Sequence, residues 1–357
     1  MYMSFRWFGK NDDSIPLPYV AQIPVIKSVV TSLLDIPVGD VWPLDRIMAV
    51  KREIEDHGLR FDTVESLNVH EDIKLGAPTR DGYIENYRAT LRNLSQAGVK
   101  VVCYNFMPVF DYIRTDAARM LPDGSTAMYF DDAILRGLTP DSLMAEMEKG
   151  SNGFTLPGWE SSRMGEIRTL FEAYKTISEE KLFETLGYFL RAIIPVAAEC
   201  DIKMAIHPDD PPWSIFGLPR IMTSRKNLDR LVSLVDSPYN GLTLCSGSLG
   251  ADPGNDVPSL IHHFGKMGRI HFAHVRNIKI SGTRTLQETA HQAQCGSLDI
   301  CAIMKAYHDI GFEGPMRPDH GRMIWGEKGR PGYGLYDRAL GAVYLQGLWD
   351  AMERASR

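Results

Sequence analysis

Eight short apolar runs, rich in β-branched and aromatic residues, recur along this chain, and each is followed by a stretch long enough for a helix. The runs cover residues 5–8, 27–32, 60–66, 100–106, 203–207, 242–246, 269–275 and 315–319. Helical patterns fall between them at 42–57, 84–97, 180–199, 225–235, 257–266, 298–310 and 336–353. In the first of these, Leu44, Ile47, Met48 and Ile54 are related by steps of three, four and seven residues, which places them on one helix face. Strand and helix in repeated alternation is the pattern of a parallel sheet. Eight such units close a barrel, so the expected fold is a (β/α)8 TIM barrel forming a single domain over residues 1–357. An open doubly wound sheet is the alternative.

One connection breaks the rhythm. Residues 107–176 contain DYIRTD, LPDGS and SNGFTLPGWESS with short helical pieces between them. A structureless loop of that length is rare in a compact domain. The segment is therefore expected to be an insertion after the fourth strand, partly helical, that caps one end of the barrel. A peripheral dimerisation element is the competing reading.

Charge and composition exclude several roles. Lys and Arg number 39 against 45 Asp and Glu, a net charge of −6, which argues against a nucleic-acid partner. No run approaches the roughly 20 apolar residues of a membrane span. The opening MYMSFRWFGKNDD has no apolar core or small-residue cleavage site, so a cytoplasmic location is expected. Cys103, Cys200, Cys245, Cys295 and Cys301 are scattered without a CxxC, which suits a reducing compartment and buried or metal-bound thiols.

In a barrel of this kind the chemistry gathers at the C-terminal ends of the strands. There the fifth run ends at His207, the sixth at Cys245, the seventh near His274 and the eighth at Asp319, followed by His320. Taken singly, each has a bland explanation: a hydrogen-bonded loop histidine, an inert buried thiol, a turn aspartate. Imidazole, thiolate and carboxylate converging from four successive strands instead describe a transition-metal site. His271 competes with His274 for the third place, but His274 lies nearer the strand's C-terminal end and alternation puts the two on opposite faces. Zn²⁺, Fe²⁺ and Mn²⁺ all suit such donors.

Arg6, Arg276 and Arg317 fall near the same rim and would offset the acidic balance for a carboxylate substrate, which arginine binds bidentately. Asn105, His70 and Asp111 follow the third and fourth strands and are candidates for binding sugar hydroxyls. SGSLGADPGND is not a GxGxxG turn and GEKGRPGYG lacks the phosphate-loop pattern, so no nucleotide cofactor is expected.

The segments FRWFGKND, DIPVGDVW, ESLNVHEDIK, NYRATLRNL, VCYNFMPVFDYIRTD, LPDGS, AIHPDDPP, LTLCSGSLGADPGND, RIHFAHVRN, MRPDHGRM and PGYG span most of the chain. In them the sequence resembles the mannonate dehydratase family, with its xylose-isomerase-like barrel. The resemblance implies a hydro-lyase that converts D-mannonate to 2-dehydro-3-deoxy-D-gluconate in hexuronate breakdown, with Mn²⁺ or Fe²⁺. It implies metal ligands at His207 in IHPDD, Cys245 in LCSGS, His274 in HVRN and Asp319 in RPDH. The family's PGY tyrosine falls on Tyr333, and Tyr333 with the Asp319–His320 pair are the candidates for acid–base catalysis. A homo-oligomer acting on a small sugar acid is expected. The rivals are a metal-dependent sugar isomerase or epimerase, a metal-dependent endonuclease disfavoured by the acidic balance, and a sugar-acid-binding protein without turnover.

Overall fold

A computed structural model of the chain describes residues 1–151, 153–154 and 167–356. The strands in chain order are β1 (Tyr2–Arg6), β2 (Ile26–Thr31), β3 (Arg60–Glu65), β4 (Val101–Tyr104), β5 (Asp116–Met120), β6 (Thr126–Asp131), β7 (Lys203–Ile206), β8 (Asn240–Cys245), β9 (Ile270–His274), β10 (Ile278–Gly282), β11 (Thr285–Glu288) and β12 (Pro315–Arg317). Eight of them pair in parallel in the order β1-β2-β3-β4-β7-β8-β9-β12, and β12 closes on β1 with Tyr2 opposite Pro315. This is the expected (β/α)8 barrel.

The strands read as continuous apolar runs because both of their faces are covered. β8, NGLTLC, is buried along its whole length. Its outward Leu242 and Leu244 join the core between sheet and helices. Val30, Val101, Cys103, Ala205 and Phe272 form a separate cluster from four strands, the packed interior of the barrel. Once that inward face is set, alternation places every second residue on it. Glu65, Cys245, His274 and Arg317 therefore point inward at the ends of their strands, and Arg6 does the same on β1. Register levels them: Cys245 lies opposite His274, and Arg317 opposite His274 from the other side.

The return helices follow local rules. The helix Glu179–Glu199 starts where the Ser178 side chain accepts from the Lys181 amide, with Glu179 and Glu180 in the first turn. Leu186, Phe189, Leu190 and Ile193 form its buried stripe. Asp256 caps the helix Val257–Lys266 by accepting from the Ser259 amide at 3.1 Å. The first return helix is the exception, a single turn at Leu17–Ala21.

The insertion is partly helical, as expected, and it also contributes strands. The hairpin β5–β6 joins a second hairpin, β10–β11, from the connection after β9, in an antiparallel sheet of order β10-β11-β6-β5. Leu286 of β11 sits opposite Phe130 of β6. β5, β10 and β11 each bury only one or two residues, so they lack the continuous apolar runs that mark the barrel strands. The helices Asp132–Leu135, Pro140–Gly150 and Ile167–Tyr174 also lie in the insertion. A second apolar cluster, including Phe110, Ile113, Phe130, Trp213 and Leu286, binds this sheet to the loops after β4 and β7. That places the sheet over the C-terminal rim. All five cysteines are free thiols. Among the described residues no helix is long and apolar enough to cross a membrane.

Candidate metal centre and active site

His207 follows β7 directly. Its Nδ1 lies 2.7 Å from the carbonyl oxygen of Pro208. A carbonyl only accepts, so Nδ1 carries the proton and the Nε2 lone pair faces the barrel axis. There it meets His274 Nδ1 at 3.2 Å. The Asp319 carboxylate lies 3.6 Å from His274 Nδ1 and 3.5 Å from Cys245 Sγ. One ligand atom each from His207, Cys245 and His274 lie within 4.8 Å of one another. Ligands about 2.0–2.3 Å from a shared ion are separated by about 3–4 Å. His207, Cys245 and His274 therefore fit a divalent transition metal in both spacing and donor type, and the Asp319 carboxylate borders two of them. His271, at the other end of β9, bonds the Met204 carbonyl at 2.9 Å, and burial pulls its pKa down to about 4.

Asp319 adopts a left-handed backbone conformation, φ +55°. An aspartate tolerates this at some expense, and such conformations concentrate at functional sites. The turn aims the carboxylate back into the barrel, where Arg317 Nη2 and Arg276 Nε pair with it at 2.7 and 2.8 Å. Burial alone would raise its pKa. His320, Arg317, His274 and Arg276 outweigh burial and hold the carboxyl well below its usual range.

Tyr333 sits beyond a turn closed by its own amide on the Arg330 carbonyl at 2.9 Å. Gly332 has φ +78°, a left-handed conformation that favours glycine. The Tyr333 ring packs edge-on against Phe8, and its hydroxyl lies 2.9 Å from His320 Nε2. Burial is the main influence on this phenol and pushes its pKa up to about 12, despite the lowering effect of Arg317 and Arg6.

The candidate substrate residues separate into three groups. Arg6, Asn105 and Arg317 line the same cavity as His207, Asp319, His320 and Tyr333, a space of about 60 Å³. Arg6 also donates from Nη1 to the Glu65 carbonyl at 2.8 Å. Ser66 and Asp111 line both this cavity and a neighbouring cleft of about 390 Å³. His70 lies in that cleft, stacked on Tyr83 with ring centroids 3.6 Å apart. Arg276 lies outside the cavity lining, its guanidinium buried among carboxylates.

Sequence reasoning missed four charged residues beside the centre. Glu65 ends β3, where its Oε1 pairs with Arg317 Nη2 at 2.8 Å and its Oε2 lies 3.6 Å from His274 Nε2. Arg317 Nε approaches the same imidazole nitrogen at 3.0 Å. The other three surround Arg276. Its Nη2 pairs with Asp210 at 2.8 Å and its Nη1 with Glu288, while Arg114 pairs with Asp210 at 2.9 Å and Glu288 at 2.8 Å. A strand-end position was the available signal for Glu65. Asp210 carried a weaker one, lying in the HPDD run just after His207. Gly247 makes room for this network, since a Cβ there would strike the Arg276 guanidinium.

A model of the D-mannonate dehydratase (UxuA) family matches residues 1–357. A mannonate dehydratase of Thermotoga neapolitana is 61% identical over 354 residues, covering 99% of this chain and 98% of that protein. The crystal structure of mannonate dehydratase from Streptococcus suis serotype 2 superposes with a TM-score of 0.91 at 46% identity, covering 100% of this chain and 96% of that one. D-psicose 3-epimerase from Clostridium cellulolyticum H10 shares the fold alone, with a TM-score of 0.55 at 14% identity, covering 100% of this chain and 98% of that one. With a barrel, a candidate metal centre and matches that run from end to end, the chain belongs to the D-mannonate dehydratase (UxuA) family.

Proposed function

We propose that this chain is a hydro-lyase that converts D-mannonate to 2-dehydro-3-deoxy-D-gluconate, a cytoplasmic step of hexuronate breakdown, using Mn²⁺ or Fe²⁺ held by His207, Cys245, His274 and Asp319. The observation that carries this reading is the convergence of His207, Cys245 and His274, with the Asp319 carboxylate within 3.6 Å of Cys245 and His274 and the hydrogen-bonded Tyr333–His320 pair in the same cavity. The names of the family's members supply the substrate.

The reaction removes a proton from the carbon beside the carboxylate and a hydroxyl from the next carbon. The resulting enol becomes the 2-keto acid. When bound, the divalent ion supplies positive charge that stabilises the negative charge developing on the substrate. Tyr333, with its pKa raised to about 12, keeps its proton at neutral pH and serves as the donor to the departing hydroxyl. His320 Nε2, 2.9 Å from that oxygen, accepts from the hydroxyl at rest and is placed to pass a proton taken from the substrate carbon back to it. The acceptors facing the cavity for the carbon-bound proton are the ionised Asp319 and the His320 imidazole. Arg6 and Arg317 bring positive charge to the cavity for the substrate carboxylate, and Asn105, Asp111 and His70 offer partners for its hydroxyl groups.

Purified protein supplied with Mn²⁺ is expected to turn D-mannonate into a 2-keto-3-deoxy acid, followed by a keto-acid assay. No product from any hexonate with any divalent metal would overturn the assignment. Cys245→Ser is expected to weaken metal binding by more than the roughly 10–100-fold typical of losing an outer-shell partner. Chelator competition measures this, and unchanged affinity would remove Cys245 from the ligand set.

A further inference from the structure

The second hairpin, β10–β11, belongs to no barrel strand, yet its last residue reaches the catalytic pair. Glu288 is buried, and its Oε1 lies 2.8 Å from Arg114 Nη2, beside Arg276 Nη1, and 3.2 Å from His320 Nδ1. His320 presents its other nitrogen to the Tyr333 hydroxyl at 2.9 Å. Carboxylate, imidazole and phenol thus stand in a line, each within hydrogen-bonding distance of the next.

We propose that Glu288 is a positioning residue for this acid–base pair: it accepts the Nδ1 proton of His320 and so fixes the tautomer whose bare Nε2 accepts from Tyr333. The proposal rests on the reading of Tyr333 and His320 as the proton-transfer pair. Two groups approach His320 Nδ1, the Glu288 carboxylate at 3.2 Å and Arg276 Nη1 at 3.3 Å. The first requires a protonated Nδ1, the second a bare one. Arg276 already faces Asp210, Glu288 and Asp319, so its charge is offset three times over. A carboxylate oxygen gains more from a ring N–H than a guanidinium so engaged gains from a ring lone pair. Asp319 Oδ1 lies 3.8 Å from Nε2, beyond hydrogen-bonding reach, which leaves Tyr333 as that nitrogen's partner.

This gives the accessory sheet a catalytic purpose. β11 is held in place by pairing with β6, and Glu288 is held by two arginines, one from the insertion and one from the barrel rim. The carboxylate is therefore fixed before substrate arrives. Orienting an imidazole through its far nitrogen is the role a buried carboxylate plays in serine-protease triads, where the wrong tautomer is catalytically severe.

The test is a double-mutant cycle with Glu288→Gln and His320→Gln on the full-length, Mn²⁺-loaded protein. Glu288→Gln alone is expected to lower kcat by about 10–100-fold, with KM and metal content near the wild-type values. Made in the His320→Gln background, the same change is expected to alter kcat by less than about threefold, because its target is gone. An equal loss in both backgrounds, or full activity in the single variant, would overturn the proposal. If Glu288→Gln fails to fold, Glu288→Asp takes its place in the cycle. NMR of ring-nitrogen-labelled histidine reads the tautomer directly and needs no turnover. It is expected to show His320 protonated at Nδ1, and protonation at Nε2 in the neutral ring would refute the proposal even if D-mannonate proved not to be the substrate. Wild-type protein inactive on D-mannonate but with His320 protonated at Nδ1 would instead count against the assigned reaction alone.

Discussion

Tyr333→Phe is expected to lower kcat by about two to four orders of magnitude, the range that a positioned general acid or base contributes, while the bound metal stays at its wild-type level. The substitution removes one oxygen from a ring that is otherwise held by carbon contacts, edge-on to Phe8 and beside the His320 ring. The Tyr333 hydroxyl is not in the four-residue ligand set, so metal retention and turnover should separate. Cys245→Ser gives the opposite pattern, with metal binding affected first. Steady-state kinetics and metal analysis on the same preparation check both halves. A Phe variant with wild-type kcat would remove Tyr333 from the chemistry.

Arg276→Met is expected to destabilise the fold by about 3–5 kcal/mol, the usual consequence of removing one member of a buried ion pair. Arg276 pairs with Asp210, Glu288 and Asp319, and all four residues are almost wholly buried. Without it, Arg114 is the remaining arginine partner of Asp210 and Glu288, and Arg317 that of Asp319. A methionine of similar length preserves packing, so the loss would report charge rather than volume. Arg276→Lys should fall between the two, because an ammonium is a single point charge and lacks the planar fork that engages three carboxylates. Equilibrium denaturation in urea measures the difference. A Met variant within about 1 kcal/mol of wild type would show that the network contributes little to stability. The burial also separates Arg276 from the substrate role expected from its place after β9. Its guanidinium is committed to protein carboxylates, whereas Arg6 and Arg317 line the cavity.

The barrel and the residues at its strand ends were legible because both depend on local pattern. An apolar run followed by a helical one recurs wherever a strand is buried on both faces, and the residue that ends the run lies at the rim. His207, Cys245, His274 and Asp319 were found from that alone. The choice of His274 over His271 followed from alternation and strand position, and the two histidines do occupy opposite ends of β9. The Asp319–His320–Tyr333 group depended more on family resemblance, since nothing local connects PDH to PGY.

The remainder was invisible for a physical reason. The accessory sheet is built from two hairpins far apart in the chain, and β6 finds β11 only once the barrel has brought their connections together. Arg114 and Glu288, 174 residues apart, form an ion pair that no local window contains. A buried arginine and a surface arginine also look alike in sequence, because burial depends on what folds over the residue.

The chain's own pattern of residues thus determined a closed parallel barrel, which side chains point into it, and a group of histidine, cysteine and aspartate side chains at its rim, all consequences of a two-residue strand period and of helices that return. Tertiary structure decided which carboxylates and arginines surround that group, which nitrogen of each imidazole faces which partner, and that a second sheet reaches the His320–Tyr333 pair. Those depend on distances between distant segments, and electrostatic interactions at a few ångströms are set by where the backbone ends up rather than by neighbours in sequence.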